Sequence, residues 1–396
     1  MVEYITRVGV RPRGEEAEHA WSARDLDWML LAAICALLGV GLWAISGITR
    51  HDVPGDPDYY LVRQGVFALV GSVAFLVGLF VDPALYRKHK WWLYGVMTGG
   101  MVFVILVGAA ARGSRRWIDL GFFRFQPSEF GKLLFILFLA AFLADQMKRL
   151  GQWRTTGAAL GLAMVPILLV FVQPDIGTAL VYSTAIIGVL FVAGARWLHL
   201  AAIMAAAVVV AISVLWLLPA GGIEILKPYQ EQRLTAFLHP DRDPGGISYN
   251  LRQSKIGVGA GGLGGRGVSG ATQTNYQYLP EHETDFAFAA YAEQRGFAGA
   301  ALLLALYLLV VWRGLRVIAV ARDAFSAIVA GGIVVAFLFQ VFVNVGMTIG
   351  LAPITGIPLP FVSAGGSAMM TNLAAMGVLL AIGARGRAKP KQSRRR

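Results

Sequence analysis

Ten long runs of apolar residues divide this chain, and they constrain its fold more than any other feature. Each run has the length of about 20 residues that an α-helix needs to cross the hydrocarbon core of a bilayer. Lipid offers the backbone no hydrogen-bond partners, so such runs fold as helices. The predicted spans are 28–48, 61–81, 92–110, 128–145, 155–172, 176–194, 197–219, 286–312, 324–346 and 367–384. The sequence therefore predicts an all-α polytopic membrane protein with about ten transmembrane helices.

Lysine and arginine residues indicate the orientation of the helices, because short cytoplasmic loops retain basic residues. An even number of spans places both termini on one side, and the basic tails and alternate basic loops make that side the cytoplasmic one. The outer loops then hold few basic residues apart from one group, Arg112, Arg115, Arg116 and Arg124. The net charge of +12 thus indicates topology and contact with anionic lipid. It comes with no nucleic-acid-binding motif, so no nucleic-acid partner is expected.

The polar segments outside the spans define the domain organisation. We expect a cytoplasmic tail at residues 1–26, one membrane domain at 27–386 and a basic cytoplasmic tail at 387–396. Residues 220–283, between the seventh and eighth spans, are too long for a simple connector. They predict a large extracytoplasmic loop with short helices, and the clearest candidates are 229–238 and 249–256.

The first span and the cysteine content restrict processing and redox chemistry. No h-region precedes the first span and no small-residue cleavage site closes it, so we expect this span to be retained. Cys35 is the only cysteine, which excludes a disulfide framework and a thiolate metal site.

Asp285 stands where a polar segment of the large loop meets a long apolar helix. A carboxylate at the mouth of a membrane span is costly and usually has a function. The alternative is a helix N-cap, in which Thr284 or Asp285 accepts backbone N–H bonds at the positive end of the helix. The residues alone leave both interpretations open.

Three further polar features lie at the outer ends of predicted spans. Glu129 and Lys132 are three residues apart on one helix face, so they could form a structural pair, or Lys132 could meet an anion while Glu129 holds it in place. Asp175 could cap a helix or line a cavity. Residues 350–367 include three prolines and four glycines up to Gly366, which excludes a continuous helix and predicts irregular backbone, buried in protein or lining a polar cavity.

Two short motifs in the large loop match the patterns of functional signatures. Gly257, Gly259 and Gly262 match G-x-G-x-x-G, but no βαβ unit surrounds them, so the glycines indicate sharp bends, contact with phosphate or a flexible loop. The D-x-D pattern at 241–243 is flanked by proline and glycine and predicts a turn.

One outward cavity that combined Asp285, Lys132 and Asp175 with the glycine-rich loop would suit a lipid with a large anionic head group. The Asp285 carboxylate could accept a proton from an attacking sugar hydroxyl, as a general base. Cations could stabilise a departing diphosphate, and the candidates are Lys132, Arg116, Lys255 and a bound divalent metal ion. No cofactor is certain, and a requirement for Mg²⁺ or Mn²⁺ stays open.

Five separated motifs, in the same order, resemble the SEDS family of shape, elongation, division and sporulation proteins. They are RRWIDLGFFRFQPSEFGK, FVQPDIGTAL, QSKIGVGAGGLGGRG, TQTNYQYLPEHETDF and NVGMTIGLAPITGIPLPFVSAGGS, and the resemblance covers nearly all of residues 27–385. The stretches NVGMTIGLAPITGIPLPF and FLHPDRDPGGISYN are closer to the elongation member, RodA, than to the division member, FtsW.

The resemblance implies a peptidoglycan glycosyltransferase in the bacterial cytoplasmic membrane, with an active site that faces outward. It would polymerise lipid II into β-1,4-linked strands for elongation and cell shape and release undecaprenyl diphosphate. The implied partners are lipid II with the growing strand, a class B penicillin-binding protein and membrane proteins of the elongation complex. A lipid II flippase, a non-catalytic scaffold that activates a partner synthase, and a division-type role are the alternatives.

The resemblance also assigns residues to the site. The aspartate of the family's T-D-F motif corresponds to Asp285 and would be catalytic. The Q-P-S-E-x-x-K motif would place Glu129 and Lys132 in the substrate site, and the Q-P-D motif would place Asp175 there. The remaining candidate substrate-binding residues are Arg116, Lys255, Gln253, Gln273 and Thr284. The chain departs from the family at 292–296, where A-E-Q-R-G replaces A-E-E-L-G, and Arg295 there needs a partner.

Overall fold

The structure, a computed structural model, describes residues 21–111, 114–119, 121, 123–222, 230, 233, 237 and 246–388. Several predictions fall outside these residues: the tails at 1–20 and 389–396, the turn at 241–243, Arg112, and most of the predicted helix at 229–238.

Ten helices in the described part of the chain are long and apolar enough to cross a membrane, as predicted. An additional helix, α8, lies in the large loop and includes the predicted helix 249–256. In chain order the long helices are α1 (Trp28–Ile48), α2 (Tyr59–Phe80), α3 (Lys90–Val107), α4 (Pro127–Asp145), α5 (Trp153–Val172), α6 (Ile176–Ala193), α7 (Trp197–Ala220), α8 (Ile247–Ala260), α9 (Ala287–Val320), α10 (Ala324–Ile349) and α11 (Gly366–Arg387). Shorter helices cover Ala23–Asp25, Pro83–Lys88, Met147–Arg149, Gly267–Gly270 and Thr272–Asn275.

A small antiparallel sheet occupies the loop between α3 and α4, which the sequence did not predict. Its strands are β1 (Ala109–Ala111), β2 (Ser114–Asp119) and β3 (Arg124–Phe125), in the order β1-β2-β3. The predicted span 92–110 is therefore too long, because α3 ends at Val107 and the chain continues into β1. Strand β2 supplies hydrogen-bond partners to β1, so the backbone stays paired after it leaves the helix.

The centre of the bundle is formed by α4, α6, α10 and α11, which bury most of their residues. Helix α11 packs closely on α2, where a Cβ at Gly377 would lie 2.1 Å from the carbonyl oxygen of Phe75. Small residues at such positions let membrane helices approach closely. Helix α7 lies at the periphery, and within Trp197–Ile212 its only buried residue is His199, whose Nδ1 lies 2.8 Å from Oγ1 of Thr156.

Charged contacts place the start of α1 and the end of α11 at the same end of the bundle. Asp27 accepts the backbone N–H of Leu30 and caps α1, and its carboxylate is buried between two arginines. The nearest nitrogens of Arg313 and Arg387 lie 2.7 and 2.5 Å from its Oδ2. The starts of α4, α6 and α9 and the end of α10 lie at the opposite end, and they hold the polar features singled out above.

The segment between α10 and α11 contains no helix, as predicted, and it is buried in protein. Five large apolar side chains in it are each at most 5% exposed: Ile354, Ile357, Leu359, Phe361 and Val362. The segment therefore packs as a plug of irregular backbone at the end of the bundle that carries Asp285. Irregular backbone at this depth needs protein partners for its polar groups, and the site below supplies several of them.

Candidate active site

Asp285 lies in a tight turn that leads into α9. The backbone N–H groups of Thr284 and Phe286 both donate to the carbonyl of Glu281, at 3.1 Å. Helix α9 begins at Ala287 with Phe286 as its N-cap residue, and no side chain caps it there. The capping interpretation of Thr284 and Asp285 is therefore wrong. The carboxylate of Asp285 stays available for other contacts.

Two residues tie the Asp285 turn to neighbouring elements. Asn344 of α10 is fully buried, and its Nδ2 donates to the carbonyl of Asp285 at 3.0 Å and to that of Ile357 at 2.8 Å. The Ser363 hydroxyl donates to the carbonyl of Thr284 at 2.5 Å and accepts the N–H of Leu359 at 2.8 Å. The turn, α10 and the plug segment are thus fixed to one another through buried hydrogen bonds.

Gly356 of the plug makes room for two opposite charges. Its φ angle is +73°, a conformation that side-chain-bearing residues rarely adopt. A Cβ at this position would lie 3.1 Å from Nη1 of Arg233 and 3.4 Å from Oδ2 of Asp285. The Asp285 carboxylate and the Arg233 guanidinium therefore face the same space above a bare backbone.

The charges around Asp285 oppose one another. Burial raises the pKa of Asp285 to about 6, the positive charges of Arg233 and Arg116 hold that pKa down, and the negative charges of Glu281 and Glu283 push it up. The residue as a whole is half-buried. A carboxylate with a pKa of about 6 is ionised near neutral pH and is a stronger base than an ordinary aspartate.

Arg116 and Asp175 meet at the start of α6. Asp175 caps this helix, as one of the two interpretations predicted, because its carboxylate accepts the N–H and the hydroxyl of Thr178, each at 3.0 Å. It also accepts Nε2 of Gln126 at 2.8 Å and lies 3.5 Å from Nη1 of Arg116. The Arg116 guanidinium stacks on Trp117, with Cζ 4.2 Å from the ring centroid, and its buried Nε has no hydrogen-bond partner in the described part of the chain.

Arg124 of the same outer group lies 3.7 Å from Asp119. Among the described residues of this group, Arg116 and Arg124 therefore each lie beside a carboxylate.

Glu129 and Lys132 form a buried ion pair inside α4. Nζ of Lys132 lies 2.7 Å from Oε2 of Glu129 and donates to Oε1 of Gln340 at 3.0 Å. The cations that most strongly lower the pKa of Asp285 are Arg233 and Arg116. The geometry fits the structural reading of the pair, and contact between Lys132 and a substrate stays a prediction.

The other candidate residues lie on α8, in the large loop after it and in the turn before α9. Lys255 is exposed on α8 and lies across Gly350 at the end of α10, and Gln253 is partly buried on the same helix. The backbone N–H of Gln273 donates to Glu293 at 2.9 Å. Thr284 donates its hydroxyl to Oε2 of Glu281 at 3.1 Å. Their roles in substrate binding stay predictions.

Residues 292–296, where the chain departs from the family motif, contact other parts of the fold. Arg295 lies over the ring of Trp43, with Cζ 3.6 Å from the centroid, so the partner that it needs is aromatic. Glu293 is fully buried and accepts the N–H and hydroxyl groups of Thr274 at 3.2 and 3.0 Å. It thereby caps the short helix Thr272–Asn275. Helix α9 bends beside these residues at Gly296, whose φ is +66°.

Sequence reasoning missed Arg233, Gly356 and Asn344. Arg233 lies in the large loop, where only its position in a predicted short helix was noted. Gly356 and Asn344 lie inside a motif that the resemblance already used, but neither type of residue signals a role by itself. Among the described residues, one group of three side chains could hold a metal ion, Asp52, His282 and Glu283, and Asp285 is not part of it.

The chain matches a known family and its members over nearly all of its length. The family model described as "Cell cycle protein", which groups FtsW, RodA and SpoVE, matches residues 24–388. The peptidoglycan glycosyltransferase MrdB of Escherichia coli K12 is 36% identical over 366 residues, which cover 91% of this chain and 94% of that protein.

Two solved structures share the fold. A chain from a peptidoglycan synthase complex, described as coordinating polymerisation and crosslinking, has a TM-score of 0.77 and 29% identity, and the match covers 93% of this chain and 100% of that one. The rod shape determining protein RodA of Thermus thermophilus has a TM-score of 0.66 and 26% identity, and the match covers 90% of this chain and 96% of that one. The family match, the relative and the shared fold all span nearly the whole chain. The chain therefore belongs to the FtsW, RodA and SpoVE family of cell cycle proteins, which is the SEDS family that its motifs resemble.

Proposed function

We propose that this protein is a peptidoglycan glycosyltransferase of the elongation type, which polymerises lipid II at the outer face of the cytoplasmic membrane. The observation that supports it best is the Asp285 site, in which a carboxylate and two arginines share the end of the bundle opposite the Asp27 cluster. The relative MrdB carries the same activity in its name. The comparison with RodA favours elongation over division.

In the proposed reaction Asp285 is the general base. It accepts the proton of the 4-hydroxyl of the incoming GlcNAc as the hydroxyl oxygen forms a bond to the anomeric carbon of the strand's MurNAc. The bond between that carbon and the diphosphate oxygen breaks, and its electron pair leaves with undecaprenyl diphosphate. Attack opposite to the leaving group inverts the anomeric centre and gives the β-1,4 bond.

The arginines beside Asp285 have a separate task in this proposal. The diphosphate gains negative charge as its bond to the sugar breaks, and positioned cations stabilise that charge. Arg233 and Arg116 are the cations whose charge reaches Asp285, so they replace Lys132 as our first choice for this contact. The planar guanidinium groups suit bidentate contact with phosphate oxygens.

The membrane arrangement follows from the basic residues. With both termini in the cytoplasm, the Asp27 cluster lies at the inner end and Asp285 at the outer end. The membrane domain at 27–386 would then carry residues 220–283 outside as its large loop. The structural neighbour from a synthase complex supports a class B penicillin-binding protein as partner for crosslinking. Lipid II and further elongation proteins complete the proposed set of partners.

The first experiment compares purified wild type with Asp285→Asn, each with the penicillin-binding partner, on fluorescent lipid II. We expect glycan polymer on a gel from wild type and at least about 100-fold less from the variant, because the base for the attacking hydroxyl is lost. Asp56→Asn is the matched control, since Asp56 is an exposed aspartate of another outer loop. Polymer at wild-type rates from Asp285→Asn would exclude the proposed chemistry.

The same preparations distinguish the rival functions. A flippase would move labelled lipid II across liposomes without making polymer, and a scaffold would stimulate a partner synthase with or without Asp285. The charged residues of the described site lie at one end of the bundle and not through its depth, which favours the transferase over the flippase.

A further inference from the structure

Asp52, His282 and Glu283 form a compact cluster beside the active site. Asp52 lies in the loop between α1 and α2, and the other two precede Asp285 by three and two residues. Their nitrogen and carboxylate oxygen atoms all lie within 4.8 Å of one another. His282 is only 5% exposed, so its ring is held inside the protein.

The hydrogen bonds of His282 leave a place for a cation. Its Nδ1 lies 2.8 Å from the carbonyl oxygen of Leu279, which can only accept, so Nδ1 carries its hydrogen. Its Nε2 atom faces Oδ1 and Oδ2 of Asp52 at 2.9 and 3.1 Å, with the Glu283 carboxylate nearby. Without a second proton on the ring, Nε2 presents a lone pair to these oxygens, and a metal ion can supply the positive charge that they need.

The arrangement matches a metal site in two respects. Ligating histidines almost always donate their second ring nitrogen to a carbonyl or carboxylate, as His282 does to Leu279. Ligand atoms about 2.1 Å from an ion, at right angles to one another, lie about 3 Å apart. The separations between Nε2 and the Asp52 oxygens, 2.9 and 3.1 Å, have that size.

We propose that Asp52, His282 and Glu283 bind one divalent transition-metal ion, of the Mn²⁺ or Zn²⁺ class, that ties the loop between α1 and α2 to the segment carrying Asp285. One imidazole with two carboxylates favours such ions over Ca²⁺ or Mg²⁺, which prefer oxygen ligands alone. The ion positions the turn before α9 and does not touch the reacting atoms. Metal binding at this site does not depend on whether the protein has the proposed glycosyltransferase activity.

The test measures binding directly on the full chain in detergent, after chelator treatment and removal of the chelator. Titration with Mn²⁺, followed by electron paramagnetic resonance, should show one saturable site per chain. Pulsed measurements should detect the coupling of one imidazole nitrogen to Mn²⁺. Asp52→Asn and His282→Gln should each weaken metal binding by more than about tenfold, which is the effect of losing a residue that only hydrogen-bonds to a ligand. His282→Gln should also abolish the nitrogen signal.

Matched controls come from the same loop. Asp56→Asn and His51→Gln change an exposed aspartate and an exposed histidine near Asp52, and both should keep wild-type affinity. Thermal unfolding of each variant without metal verifies folding, and Zn²⁺ calorimetry repeats the comparison. Two results would overturn the proposal: no saturable Mn²⁺ or Zn²⁺ binding by folded wild type, which leaves a protonated imidazole as the cation, or unchanged affinity in folded Asp52→Asn.

Discussion

Asp285 owes its properties to a few side chains from distant parts of the sequence. Arg233 comes from the large loop, Arg116 from β2, and Gly356 from the plug segment. Burial raises the Asp285 pKa and the arginines limit that rise, so a basic and still ionised carboxylate results. The proposed transfer to a sugar with a diphosphate leaving group requires a proton acceptor and nearby cations.

Removing either arginine should slow polymerisation while the protein stays folded. We expect Arg233→Ala and Arg116→Ala each to lower the rate by about 10- to 100-fold, because a positioned cation for the leaving diphosphate is lost. The gel assay with fluorescent lipid II measures this rate. Arg252→Ala on α8 is the control, since Arg252 is exposed and should be tolerated. Wild-type rates from both variants would remove the arginines from the mechanism.

A methyl group at Gly356 should displace the side chains of the Asp285 site. Gly356→Ala would strain a backbone with φ of +73° and push against Arg233, so we expect a loss of polymerisation larger than the loss of stability. Gly55→Ala separates the two effects, because Gly55 has φ of +84° but open space around it. Equal activity in the two variants would show that the space above Gly356 is not needed.

Single helices contribute to the site mainly through their ends. Helix α9 starts two residues after Asp285, α6 is capped by Asp175, and α10 presents Asn344 from its last turns. Helix α10 is among the more buried spans, so it offers Asn344 a rigid base. The Asp285 turn is therefore positioned by a regular element while its own backbone stays irregular.

Asn344 is the most direct test of this support. Asn344→Ala removes hydrogen bonds to the carbonyls of Asp285 and Ile357 and should destabilise the protein by about 1–3 kcal/mol. Polymerisation should fall as well, since the turn loses its anchor. Thermal unfolding in detergent and the lipid II assay measure the two effects. Asn250→Ala, on the partly buried face of α8, should change neither, and an unchanged melting temperature for Asn344→Ala would contradict the anchoring role.

The whole molecule separates the charged end at Asp27 from the end that carries Asp285. Asp27 joins α1, α9 and α11 through Arg313 and Arg387, at the end of the bundle opposite Asp285. The two arginines hold the Asp27 pKa below its usual range against the effect of burial. Helix α7, by contrast, is attached to the bundle near His199 and exposes the rest of its apolar surface.

Asp27→Ala should destabilise the bundle without changing the chemistry at the outer end. Removing the Asp27 carboxylate leaves two arginines without their partner. We expect the free energy of unfolding to fall by about 2–4 kcal/mol. Thermal unfolding should therefore occur at lower temperature, while the lipid II activity of the remaining folded protein stays near that of wild type. Asp58→Ala, an exposed residue that makes no capping bond, is the control. Equal stability of the two variants would disprove the role of the inner cluster.

Local patterns were sufficient for the spans and for the position of Asp285. A stretch of about 20 apolar residues has to be a helix in lipid, whatever its neighbours are, so all ten spans could be read without tertiary information. Prolines and glycines likewise predicted the irregular plug. The predicted C-terminal ends of α3 and α9 were wrong. Strand β1 follows α3, and α9 continues to Val320, because both features depend on packing partners.

Which charges meet was decided by the tertiary structure alone. The sequence indicated Lys132 and missed Arg233, but Lys132 is paired with Glu129 and donates to Gln340, whereas the charge of Arg233 acts on Asp285. The same holds for Asp52 and His282, which are 230 residues apart. The electrostatic energy of a group depends on distance and burial, and neither quantity is local in sequence. The sequence by itself determined the membrane fold and its candidate carboxylate, and the packing of the helices determined that carboxylate's neighbours.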